Sequence, residues 1–259
     1  MKLRVATYNI HKGVSAFGLR NCLHDLKLAL SNIGADVLFL QEVQDVNLRN
    51  AKRFDNWPQE PQTRFLAGPD YHYCYGGNAV YDHGHHGNAI LARGPFSHAT
   101  NRDISDHRFE QRGMLHAVQH IDGVDVHCVN VHLSLFAAGR RRQLQTIIET
   151  MRDGVPEDAP VIIAGDFNDW HNKLTAGLTQ ALDVREVAVS GPISAAGGVP
   201  LPTRPARPAR TFPAMLPWLG LDRIYVRGFH VESVDVMRGR MWARLSDHAP
   251  LVANLVLSR

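Results

Sequence analysis

Residues 246–257 read SDHAPLVANLVL. Leu251, Ala253, Leu255 and Leu257 alternate with Val252, Asn254 and Val256, a nearly all-apolar run that reads as a buried strand. Ser246, Asp247 and His248 stand just before it. Alone, they need be no more than a turn, since Ser and Asp are ordinary turn residues. The same arrangement recurs along the chain. Asn9 follows VATY, Glu42 follows VLFLQ, Asn130 and His132 close VDVHCVNVH, Asp166 and Asn168 follow VIIAG, and Asp222 opens DRIYV. Strand ends on one edge of a sheet converge in space, so carboxylates, amides and imidazoles placed there can meet.

The other elements follow from periodicity and punctuation. A strand over 3–10 delivers Asn9. In LRNCLHDLKLALSNIGA, Leu19, Cys22, Leu23, Leu26, Ala29, Leu30 and Ile33 recur at helical spacing, with Gly34 as the C-cap. DVLFLQEV is a strand running into Glu42, and residues 44–62, with Pro58 and Pro61, read as a loop. Short strands are expected around 71–75, 78–81 and 88–93. Those at 112–119 and 124–131 flank Asp122-Gly123, a hairpin signal. A helix over 138–152 puts Leu144, Ile147, Ile148 and Met151 on one face, and APVIIAG is a strand. Residues 190–213, rich in Pro, Gly and Ala and carrying Arg204, Arg207 and Arg210, read as a long loop of the kind that often serves function. LDRIYVRG and the final run close the chain as strands. With no strict alternation of strand and helix, two packed sheets with a few outer helices fit better than a doubly wound sheet.

The chain has 259 residues, 44% hydrophobic and 20% charged, with a net charge of +3. That fits one large globular domain or two small ones, and with no linker in view a single domain over 1–259 is expected. The charge is mildly basic, compatible with an anionic substrate, and too weak to establish or exclude a nucleic-acid footprint. Cys22, Cys74 and Cys128 match no zinc spacing and read as reduced thiols. The start MKLRVATYNI lacks the apolar region of a signal peptide, and no stretch approaches the ~18 apolar residues of a membrane span. A cytoplasmic monomer is expected, with peripheral membrane contact left open.

The strand-end residues form an oxygen-rich set. Carboxylates and amides with little cysteine suit Mg²⁺, or Mn²⁺, rather than zinc. A histidine beside an aspartate can hold a phosphate oxygen or move a proton. Together these are the parts for metal-assisted attack of water on a phosphoester.

TYNIHKG, LQEV, NVHLS, AGDFND, LDRIYV and SDHAPL, in this order across residues 7–251, resemble the endonuclease/exonuclease/phosphatase superfamily. NIHKG, DHGHHGNAI, AGDFNDW and ARTFPA with LDRIYV are similar to a bacterial branch often encoded beside cardiolipin synthases. The resemblance implies a DNase I-like four-layer αββα sandwich, two mixed sheets flanked by helices. It implies Glu42 as the main metal carboxylate, helped by Asn9, with Asp247 near the ion. Asp166 would position or deprotonate water, and Asn168 would bind phosphate or stabilise the transition state. His248 would contact the scissile phosphate, Asp222 would hold its ring, and His132 would face the phosphate and leaving group. Some relatives carry Asp where this chain has His11, which favours a single Mg²⁺ (Mn²⁺ as the alternative). The expected activity is that of a phosphodiesterase. Nuclease, phospholipid or sphingomyelin-type phosphodiesterase, phosphoinositide phosphatase and an inactive binding module are the alternatives.

The remaining candidates are weaker. His83, His85 and His86 invite zinc, but lack Cys or an i,i+4 pair; His86 is expected at the cleft edge and Asn88 on its rim. Arg112 suits a site carboxylate or the substrate phosphate. Arg140, Arg141 and Arg142 read as a solvated face. Phe212 could stack on a base, line a lipid pocket or simply pack in the core. Asn130 and His11 complete the substrate-side set. A Ser–His–Asp triad within SDH is excluded, because neighbouring residues point apart and no G-x-S-x-G elbow exists.

Overall fold

The computed structural model describes residues 1–187 and 208–258. Most of the loop read at 190–213, with Arg204 and Arg207, lies outside them. In chain order the elements begin with β1 (Lys2–Asn9), α1 (Leu23–Ile33), β2 (Val37–Asn47), α2 (Leu48–Arg53) and α3 (Gln62–Ala67). There follow β3 (His72–Tyr81), β4 (Gly84–Ala92), β5 (Phe96–Asp103), β6 (Gly113–Ile121), β7 (Val124–His132) and α4 (Ala137–Gly154). The last are β8 (Val161–Asp166), α5 (Thr175–Leu182), β9 (Arg185–Glu186), β10 (Asp222–Arg227), β11 (Phe229–Val236), α6 (Arg240–Leu245) and β12 (Leu251–Leu257).

The strands build two six-stranded mixed sheets, ordered β11-β12-β1-β2-β4-β3 and β5-β6-β7-β8-β10-β9. Each has one parallel pair made by a helical crossover: β1 and β2 through α1, β7 and β8 through α4. Parallel neighbours require such a crossover, and its helix must cover an outer face. Leu23, Leu26, Leu30 and Ile33 of α1 accordingly pack on Tyr8, Leu38 and Leu40, while Leu144, Ile147 and Met151 of α4 pack on Val129, Val131 and Ile163. Between the sheets lie Val5, Phe39, Ile90, Leu115, Cys128, Ile162 and Leu255. This is the expected four-layer sandwich. Among the described residues no helix is long and apolar enough to cross a membrane.

Local readings held where the pattern was strong. Gly34 ends α1 with φ 62°, and Asp122-Gly123 turns with φ 51° and 81°. Leu19 does not belong to α1; it is exposed in the preceding loop, and the helix starts at Leu23. The 44–62 loop contains the short helix α2, whose N-cap Asn47 accepts from the Asn50 amide. The strands read at 71–75 and 78–81 are one strand, β3, with a register shift between Gly77 and Ala79. Arg140 is not solvated: it is buried, and its guanidinium donates to the carbonyls of Ser134 and Leu135.

Both parallel pairs point their C-terminal ends to the same edge. Asn9 pairs with Gln41, His132 with Asp166, and Asp166 with Asp222 across the antiparallel β10.

Candidate active site

Asp166 is the centre of the first cluster. Its Oδ1 accepts from the Asn168 amide at 3.0 Å, and its Oδ2 accepts from Asn9 Nδ2 at 3.2 Å. His132 Nε2 and His248 Nε2 each lie 3.6 Å from that same Oδ2. On its other side His248 Nδ1 donates to Asp222 Oδ2 at 2.8 Å; the carboxylate can only accept, so the proton is on Nδ1. Thr211 Oγ1 also donates to Asp222, and the Phe212 ring lies 5.0 Å from the His248 ring. Asn168 Nδ2 is held by the Leu133 carbonyl at 2.9 Å.

Burial pushes the His248 pKa down, but Asp222 and Asp166 raise it more, to about 10, so the ring is an imidazolium at neutral pH. Burial and the Asp222 charge push Asp166 upward, against the opposing effect of His248. His132 shifts the other way, well below its ordinary value, because it is buried and faces Arg112.

Glu42 opens the second half. It sits at a register shift in β2 with φ 56°, a conformation that turns its side chain out of the ladder. Lys12 Nζ is 3.6 Å away, while Oε2 is buried with no hydrogen-bond partner. Burial raises the Glu42 pKa, but Lys12, His132, His11 and His86 outweigh it and hold it at about 2. Glu42, Asn78, His86, Asn88, Arg112 and His132 line one small cavity. His132 thus belongs to both halves. Larger hollows of about 620 and 480 Å³ open elsewhere and contain none of these residues.

Positive φ marks the same edge. Among the described residues, four of the seven non-glycine residues with positive φ, His11 (46°), Lys12 (62°), Glu42 and Asn168 (49°), lie at this edge. Such strain persists where surrounding structure enforces it, commonly at functional sites. Gly165 has its own reason: at φ 146° a Cβ would run into the Val131 carbonyl, so the motif GDFN needs glycine first.

Asn130 is a correction. It has no exposed surface, its amide donates to Leu40 O and Ala89 O at 2.8 Å each, and its carbonyl accepts from Gln41 Nε2 at 2.8 Å. Nothing remains for a substrate; it clamps one sheet to the other. Ser246 is the converse, since it does more than make the turn. It is fully buried, donates to Asn9 O at 2.7 Å and accepts from the His248 amide. Asp247 is half-buried, one residue from the cluster, and its charge acts on His248. The His11 ring is within 3.2 Å of Val14 O. Arg112 pairs with a carboxylate, that of Glu110 at 3.0 Å. The zinc alternative finds no geometry: His85 and His86 point to opposite faces of β4 and meet Tyr75 and Tyr81. Lys12, Asn78 and Glu110 carry no signal in the sequence: Lys12 and Glu110 lie in connecting segments, and Asn78 sits at the register shift inside β3, where no spacing marks it.

The residues fit a divalent cation. Among the described residues, one ligand atom each from Asp166, Asp222 and His248 lie within 4.8 Å of one another, a grouping in which His248 could ligate only after losing its second proton. Buried Asp222 Oδ1 makes no hydrogen bond, and buried Glu42 Oε2 makes none, its one neighbour being Lys12 Nζ at 3.6 Å. An unpartnered buried carboxylate oxygen is costly without a cation or donor to meet it.

The model of the Endonuclease/Exonuclease/phosphatase family matches residues 6–248. The chain belongs to this family. It is 40% identical over 257 residues to the uncharacterized protein YbhP of Escherichia coli strain K12, covering 98% of this chain and 96% of that one. The endonuclease/exonuclease/phosphatase from Bacteroides vulgatus superposes with a TM-score of 0.73 at 19% identity over the whole of both chains. The mannosyl-6-phosphatase Bt3783 of Bacteroides thetaiotaomicron gives 0.67 at 18% identity, over 98% of this chain and 100% of that one. These likenesses agree on the fold.

Proposed function

We propose that the protein is a divalent-cation-dependent phosphodiesterase that cleaves its substrate by attack of water. The observation that carries this reading is buried His248, whose Nδ1 donates to Asp222 at 2.8 Å while Asp166 lies 3.6 Å from its other nitrogen. A fixed cation beside a raised carboxylate suits a phosphate and the water that attacks it. His248 Nε2–H donates to a non-bridging phosphoryl oxygen, and Asp222 keeps the ring oriented and charged. Asp166 takes the proton of the attacking water; its upward shift makes it a better base than an ordinary aspartate. Asn9 and the Asn168 amide hold that carboxylate in place. His132, neutral at pH 7, stands on the other side of Asp166, next to the leaving oxygen.

Glu42, with Asn9 and Asp247, would hold Mg²⁺ or Mn²⁺, a choice that follows from the hard oxygen donors. The chemistry such an ion supplies is neutralisation of phosphoryl charge.

Hydrolysis of bis-p-nitrophenyl phosphate with Mg²⁺ or Mn²⁺ tests the assignment. Glu42→Ala and His248→Ala should each lose about 100-fold or more in kcat. Wild-type rates in both variants overturn it, and an inactive wild-type chain returns it to a binding module. p-Nitrophenyl phosphate in parallel separates diester from monoester cleavage, the latter suggested by the named activity of the Bacteroides thetaiotaomicron neighbour.

A further inference from the structure

Phe212 and Leu219 pair to close a short hairpin. It hangs directly on the site, because the Phe212 ring packs against His248 and the Ala214 amide donates to Asp247 O at 2.7 Å. Its outer part presents Met215, Leu216 and Trp218 to solvent, at 74%, 76% and 62% exposure. Leu135 and Phe136 follow His132, and Trp170 follows Asn168; each is more than half exposed. These two segments are joined where Asn168 bonds the Leu133 carbonyl. Large exposed apolar side chains therefore sit on each of the three segments that carry or touch the His132–Asp166–His248 cluster. Single exposed apolar residues need no explanation, but a set gathered round one site does.

Charge narrows what can meet this face. Residues 134–142, 170–173 and 210–220 contain no acidic residue, and Arg141, Lys173 and Arg210 are exposed among them. Of the carboxylates beside these segments, Asp106 is engaged by Arg142 and Glu110 by Arg112, Asp169 is buried and accepts from the Leu174 amide, Asp222 is buried against Thr211 and His248, and Asp247 is half-buried. Apolar tips flanked by cations, around a pocket built for phosphate, match an anionic lipid surface: tips enter the acyl boundary, cations meet headgroups. Trp170, Trp218 and Phe136 could stack on bases, but Met215, Leu216 and Leu135 share the face and offer none, whereas all six side chains can enter an acyl boundary, so the lipid surface accounts for the whole set.

We infer that this face docks on an anionic phospholipid bilayer and that the substrate class is a phospholipid headgroup diester. The inference rests on the phosphodiesterase reading above. In the reaction water adds to phosphorus, one P–O ester bond breaks, and the departing oxygen takes a proton, giving a phosphomonoester and an alcohol.

The chain carries its own probe. Of its four tryptophans, Trp57 and Trp242 are buried, whereas Trp170 and Trp218 lie on the docking face. Vesicles of phosphatidylglycerol should shift tryptophan emission to the blue, and brominated acyl chains should quench it; phosphatidylcholine vesicles should do less. The double variant Met215→Asp with Leu216→Asp should cosediment with phosphatidylglycerol vesicles about tenfold more weakly or worse, yet hydrolyse bis-p-nitrophenyl phosphate at the wild-type rate. A wild-type chain that cleaves the soluble diester but neither shifts nor sediments overturns the docking and leaves the site reading intact. No cleavage of the soluble diester overturns the site reading itself. A shift with single-stranded DNA or on self-association, without vesicle binding, overturns the lipid assignment in favour of that occupant.

Discussion

Two histidine pairs in this molecule have nearly the same geometry and opposite proton states. His248 Nδ1 lies 2.8 Å from Asp222 Oδ2 at the sheet edges. His116 Nε2 lies 2.9 Å from His127 Nδ1 on β6 and β7, on the outer face that also carries Met114 and Val129. Burial works against the charged ring in both places. In the first pair carboxylates outweigh burial and His248 keeps its proton to about pH 10. In the second, burial comes first: with His127 and His98 adding to it, His116 is held at about 4, and His127 is lowered by burial and Arg227 against the pull of Asp125. Neighbours decide the charge, and the charge decides whether a histidine meets a phosphate or belongs to the packing.

The sharpest way to break this contrast is to remove the ring or its carboxylate. His248→Ala should lower kcat for a soluble diester by about 10²- to 10³-fold. Asp222→Asn should move the alkaline limb of the pH–rate profile down by about one pH unit or more, because the ring loses its strongest opposite charge. An unmoved limb removes Asp222 from its positioning role.

Asn130 offers a second contrast, between a polar group spent on the fold and one left for chemistry. Asn130→Leu strands the Leu40 and Ala89 carbonyls and should cost roughly 3 kcal/mol in denaturant unfolding, with KM unchanged. A KM raised several-fold at normal stability would restore it to the substrate side. Ser246→Ala should be milder, about 1–2 kcal/mol, because one hydroxyl is lost that ties Asn9 O to the His248 amide. A matching fall in kcat would show that this tie also positions His248.

The smallest effect belongs to the outer pair. Folded His116 and His127 bind protons less tightly than the unfolded chain does. Their contribution to stability is therefore complete above about pH 6.5 and lost as pH falls from there toward about 4. The double variant His116→Gln with His127→Gln should flatten the acid limb of Tm against pH while diester hydrolysis stays at the wild-type rate. An unchanged limb would show that other groups control acid stability.

Much of the fold was legible because strong patterns agreed with it. The α1 and α4 periodicities, the Asp122-Gly123 turn and the apolar runs of β8 and β12 each name an element without help from distant residues. What went unread is what lacks such a pattern. β5 is almost wholly exposed and shows no alternation, and α6 is a single short turn of chain. Within the site, Asp166, Asp222 and His248 are ordinary turn residues one by one; they could be picked out because the same arrangement recurs at several strand ends and within the motifs AGDFND, LDRIYV and SDHAPL. Lys12 and Asn78 could not: Lys12 is an ordinary turn lysine, and the register shift that frees Asn78 within β3 has no local signature. Asn130 was misread for a related reason: its position at a strand end is the same as that of a site residue, and only its three hydrogen bonds distinguish it.

The sequence by itself determined that apolar strands would carry Asn9, Asp166, Asp222 and His248 to their ends, because strand periodicity and turn chemistry are local; Glu42, expected at the end of its strand, lies inside β2, where a register shift turns it out. Tertiary structure alone decided which partner each one met. Asp222, 26 residues from His248 along the chain, holds its proton, whereas adjacent Asp247 does not bond its ring. Ser246 reaches across to Asn9 over 237 residues of separation. Electrostatic and hydrogen-bonding energies depend on distance in space and on burial, and neither quantity is written in the order of the residues.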